Sequence, residues 1–107
     1  MEFNTQIVIF IVRIVSFFVM QVPLSIGHDC DVTYGADMMA NCSSRDLNFI
    51  PYDLQHNIAK LDLHSNHLGI IDENAFVKYD QLYSINLENN SLTEVKNNAF
   101  LRLKKLK

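Results

Sequence analysis

Cys30 and Cys42, with eleven residues between them, carry the clearest covalent chemistry in this chain. Two thiols at that distance either join as a disulfide or help to hold a metal. A zinc set drawn from His28, Cys30, Cys42 and His56 lacks the Cys-x-x-Cys and His-x-x-x-His spacings that bring paired ligands to one ion. In an exported chain the oxidising compartment favours the disulfide, and with two cysteines only one pairing exists. Closing so short a loop contributes about 3 kcal/mol through the lost entropy of the unfolded chain. Other reactive groupings are missing: there is no Gly-x-Ser-x-Gly, no phosphate-cradling glycine loop, and only 3 glycines in all. The expectation is a protein that is not an enzyme and needs no cofactor.

Export is read from residues 1–27. Their layout is that of a signal peptide, with Arg13 ending a long first segment, an apolar run over 14–20, and Pro23 breaking the helix. Ser25 and Gly27 place small side chains at the minus-three and minus-one positions of a cut before His28. A membrane span is disfavoured, because it needs about 20 apolar residues and Arg13 would sit within it. From His28 onward there are 8 basic and 11 acidic residues, and 28–101 alone has a net charge of −7. An acidic body argues against non-specific nucleic-acid binding, which relies on neutralising phosphates. The basic residues gather at Arg102, Lys104, Lys105 and Lys107.

The elements that position these residues come from an internal repeat of 24 residues. Ile58, Leu61, Leu63, Asn66, Leu68, Ile71, Ala75 and Phe76 fall on Leu82, Ile85, Leu87, Asn90, Leu92, Val95, Ala99 and Phe100. One further step reaches Leu106. The pattern Ile58-x-x-Leu61-x-Leu63-x-x-Asn66-x-Leu68 is that of a leucine-rich repeat. Alternation at Leu61 and Leu63 makes a short strand with one buried face. Asn66 and Asn90 then turn their amides inward as a ladder, since Asn offers both donor and acceptor to exposed backbone. Leu68, Ile71 and Phe76, and in the next coil Leu92, Val95 and Phe100, close the core from the returning side. The expected fold is an α/β repeat solenoid, a right-handed superhelix with short parallel strands on its concave face, an N-terminal disulfide cap and no C-terminal cap. Its parts are the signal peptide 1–27, a cap 28–57, repeats 58–81 and 82–105, and the start of a third repeat at 106–107. Leu47, Ile50 and Leu54 are the cap residues expected to cover the first coil. So few coils point to a piece of a longer solenoid, since about 3 repeats are needed to bury a continuous core.

Within this class the chain resembles the N-terminal end of Toll-like receptor ectodomains. The likeness is carried by Cys30-x-Val32, Ala40-x-Cys42-Ser43, Leu47-x-x-Ile50-Pro51-x-x-Leu54, Asn57-Ile58 and the link Phe76-Val-Lys-Tyr79-Asp-Gln81-Leu82. It implies a non-catalytic innate-immune recognition module in the secretory pathway or outside the cell. Its partner would be a protein or pathogen-derived ligand taken on the concave or lateral surface, together with further repeats of its own chain. Nucleic acid enters as a ligand only through that resemblance. A secreted adhesion or matrix protein and an inactive truncated product are the alternatives.

In such a solenoid the variable strand positions form the ligand face: Lys60, Asp62, His64 and Ser65 on one coil, and Ser84, Asn86, Glu88 and Asn89 on the next. The plainer expectation is a solvated polar face. His64 and His67 bring the side chain whose charge changes between pH 5 and 8, a sensor of acidity in some receptors and more often incidental. Asn41-Cys42-Ser43 and Asn89-Asn90-Ser91 are sequons for N-glycans. The tail cations fall on exposed link positions, where solvation is the ordinary role.

Overall fold

The computed structural model describes residues 30–107; the expected signal peptide, its expected cleavage point and His28 lie outside them. The described chain forms six short strands: β1 (Asp31–Thr33), β2 (Met39–Asn41), β3 (Lys60–Asp62), β4 (Ile70–Ile71), β5 (Ser84–Asn86) and β6 (Glu94–Val95). The main sheet has the order β1-β2-β3-β5. β1 pairs antiparallel with β2, whereas β2, β3 and β5 run parallel, with Ala40 opposite Leu61 and Leu61 opposite Ile85. A second, two-stranded parallel sheet joins β4 and β6 at the 24-residue offset, Ile71 opposite Val95.

Alternation decides which way each strand faces. Leu61 and Leu63 are buried on the inner side with Ile58, Leu68, Ile71, Phe76, Tyr79 and Leu82. Leu47 and Leu54 join this core from the other end, and Ile50 packs against it partly exposed. Phe76 and Phe100 stack with ring centroids 5.3 Å apart, an aromatic step repeated from coil to coil.

The structure corrects the expected α/β class, since the described residues contain no helix. The return leg is built from turns whose N–H groups reach back three residues: Ala75 to Asp72, Val77 to Asn74, Tyr79 to Phe76 and Leu82 to Tyr79. The same set recurs as Ala99 to Lys96, Leu101 to Asn98, Leu103 to Phe100 and Leu106 to Leu103. Asn74 and Asn98 have φ of 59° and 65°, a left-handed conformation that Asn tolerates better than most residues and that interrupts a right-handed helix. Val95 also departs from expectation: it is 49% exposed, while its counterpart Ile71 is 0% exposed. Ile71 has the next coil laid against it through β6, and the described chain places no coil over Val95.

Candidate functional site

Asn66 holds the site's scaffold together. Its Oδ1 accepts from the N–H of Arg45 at 2.9 Å and of Leu47 at 3.0 Å, and its Nδ2 donates to the carbonyls of Cys42 and Leu63 at 2.9 Å each. Asn90 repeats the arrangement one coil on: Oδ1 accepts from Leu68 N–H at 3.1 Å, and Nδ2 donates to the carbonyls of Leu63 at 3.0 Å and Leu87 at 3.1 Å. Each amide therefore satisfies backbone in its own turn and in the coil before it, groups that would be costly to bury unpaired.

Behind this ladder lies a relationship not singled out in the sequence. Ala40, Cys42, Ser44 and Leu47 stand at the phase of Leu61, Leu63, Ser65 and Leu68, an offset of 21 rather than 24. Cys42 N–H donates to the Asp62 carbonyl as Leu63 N–H donates to Asn86, and Ser44 bonds His64 as Ser65 bonds Glu88. Ser44 and Ser65 even share the left-handed backbone, with φ of 53° and 57°. The segment before the first repeat is thus a shortened coil. Arg45 occupies the asparagine phase there, and the described residues place no earlier coil beside it.

The disulfide Cys30–Cys42 ties β1 to the end of β2, with Cα atoms 4.5 Å apart. Both sulfurs are consumed, so neither serves the zinc set considered above. Tyr79 fastens the opposite side. Its hydroxyl donates to the Pro51 carbonyl and accepts from Leu54 N–H at 3.3 Å, and burial pushes its pKa up to about 12.

The outward side chains of β3 and β5 form one polar surface in register, Lys60 beside Ser84 and Asp62 beside Asn86. Asp62 Oδ1 accepts from His64 N–H at 3.1 Å and lies 2.6 Å from His64 Nδ1. Asn86 Oδ1 accepts from Glu88 N–H at 3.0 Å in the matching turn. Ser65 Oγ accepts from Asn89 Nδ2 at 2.9 Å, so the left-handed residues of successive coils are linked. His64 and His67 do not act as a pair: His67 faces Asp46 at 3.0 Å instead. Asn89 is exposed, and Asn41 is half-buried with its Oδ1 accepting from Ser43 Oγ at 2.6 Å. Two residues outside the expected face border it. Asp37 lies 3.9 Å from Lys60 Nζ and accepts from the Tyr83 hydroxyl at 2.7 Å. Tyr83 occupies the phase of Ala59, and that small residue hides the position when the repeats are compared.

Parallel strands stacked at a fixed period, an inward asparagine at each turn and a polar outer sheet define a repeat solenoid with an extended outer surface. Residues 56–107 match the family model described as leucine rich repeat. Over 62 residues the chain is 39% identical to leucine-rich repeat-containing protein 3 of Danio rerio, an alignment covering 58% of this chain and 23% of that relative. The chain thus spans about a quarter of the relative's length. Fold and comparisons together support a leucine-rich-repeat protein, a class generally built for protein interaction rather than catalysis. The relative is not named as a Toll-like receptor and gives the narrower likeness no support.

Proposed function

We propose that this chain is a non-catalytic, extracellular recognition module that binds a protein ligand on the outward face of β3 and β5, which forms the concave side of the solenoid. The observation that carries this reading is the aligned polar surface of Lys60, Asp62, Ser84 and Asn86, held in register by an inward asparagine ladder. The coil before the first repeat and its disulfide act as the N-terminal cap. Repeats run over 58–81 and 82–105, and further repeats of the full-length protein extend the ligand surface. Location outside the cell rests on the leader-like residues 1–27 and on the disulfide, which suits an oxidising compartment. The likeness to Toll-like ectodomains rests on cap and link residues alone.

The experiment is a screen of the secreted protein against an array of extracellular proteins, followed by Asp62→Arg and Asn86→Arg. Both substitutions are expected to abolish binding of a true ligand, while Lys96→Glu on the returning side leaves it intact. A ligand indifferent to both arginines would refute the concave-face assignment, and retention of the chain inside the cell would refute the extracellular one.

A further inference from the structure

We infer that the edge where the outward sheet meets the link segments is a binding surface for a sulfated glycan. Four of the eight basic residues within 30–107 line it, namely Arg102, Lys104, Lys105 and Lys107, and Lys60 reaches it over the Tyr83 ring, while the acidic residues lining it are Asp37 and Asp80 of ten. This concentration stands out on a chain whose remaining surface is acidic. Three hollows of about 480, 610 and 570 Å³ run side by side here, and Lys105 lines all three. They are open, so a compact small molecule would find little enclosure, whereas an extended polyanion laid across them would meet several ammonium groups at once.

Tyr83 gives the surface a fixed centre. Its hydroxyl is held by Asp37, and Lys60 Nζ and Lys107 Nζ stand 5.6 and 5.9 Å from its ring centroid. Lys105 Nζ is anchored to Gln81 Oε1 at 2.6 Å, across one coil. A sugar ring can lie on an anchored aromatic while its sulfates meet the surrounding ammonium groups. The position of the cations alone suggested solvated links; the structure adds Lys60 and Tyr83 from the preceding coil and turns a run of residues into a surface. Lys60 is shared with the concave face, and the preference for glycan over RNA rests on the extracellular reading, so secretion is scored separately from binding.

The test is binding of the full chain to immobilised heparin, fully desulfated heparin and a single-stranded RNA across a salt series. Heparin is expected to bind with affinity that falls steeply as salt rises, and desulfated heparin to bind at least about tenfold more weakly. Neutralising Arg102, Lys105 and Lys107 to Gln together should weaken heparin binding about tenfold or more and flatten the salt slope, since three released counterions are lost. Lys105→Arg with Lys107→Arg should retain binding, and Lys96→Gln, on the returning side, should leave it unchanged. Absence of heparin binding at low salt, equal binding of desulfated heparin, tighter binding of RNA, or an undiminished triple variant would each overturn the proposal. Thermal unfolding of the triple variant at the parental temperature keeps loss of binding distinct from loss of fold.

Discussion

The side-chain amide of Asn66 donates to the carbonyl of Cys42 at 2.9 Å, joining the first full repeat to the cysteine that closes the disulfide. Removing that amide strands the Cys42 carbonyl and the N–H groups of Arg45 and Leu47 together. Asn66→Ala is therefore expected to cost about 3 kcal/mol or more, at 1 to 3 kcal/mol for each buried group left unpaired. Asn90→Ala should cost less, because Asn90 is only half-buried and water can replace part of its bonding. Thermal unfolding followed by circular dichroism checks the order; a milder effect at Asn66 than at Asn90 would contradict the ladder's role.

Reducing the Cys30–Cys42 bond should lower stability by about 3 kcal/mol, or roughly 12 to 24 °C in a domain of this size. Its two ends are 12 residues apart in sequence. Melting the protein with and without a reductant, beside a double Cys30→Ser, Cys42→Ser variant, measures it. The variant should match the reduced protein.

Tyr79→Phe keeps the buried ring but leaves the Pro51 carbonyl and Leu54 N–H without their partner. A loss of about 1 to 3 kcal/mol is expected. Because the folded-state pKa is raised to about 12, the unfolded chain loses this proton first. Stability from Tyr79 is thus full below about pH 10 and declines as pH rises from there through 12. Urea midpoints measured at pH 8, 10 and 11 should fall more steeply for the parent than for the Phe variant.

Phe76→Ala opens a cavity beneath the Phe100 ring and is expected to cost about 3 to 5 kcal/mol. Phe100→Ala should cost less, since Phe100 is partly exposed whereas Phe76 is 1% exposed. Chemical denaturation of both variants gives the comparison.

Much of the fold was legible because a stacked coil must repeat what its neighbour requires. The 24-residue period placed Leu61 on Ile85 and Asn66 on Asn90, and the strand register agrees. The return leg was harder to read. Apolar spacing at Leu68, Ile71 and Phe76 suits a helix as well as a chain of turns, and the difference lies in the left-handed backbone of Asn74 and Asn98. The shortened first coil escaped notice for another reason. Its offset is 21, and its core positions are filled by Ala40 and Cys42 instead of leucines. On the outer sheet, Lys60, Asp62, Ser84 and Asn86 could be placed by alternation alone. Asp37 and Tyr83 could not, because neither position keeps its residue type from coil to coil.

The antiparallel turn of β1 against β2 gives the sheet two unlike margins. On the β1 side the direction of the backbone is reversed, so another unit of the same kind has no matching edge to join. On the β5 side the series continues: Ala59 N–H bonds the Met38 carbonyl, Tyr83 bonds Ala59, and Lys107 bonds Tyr83. Duplicating or deleting a unit is therefore tolerable in one direction only, and only in steps of one whole coil. A gene of this design can change its length by recombination beyond the first coil while its opening segment stays fixed.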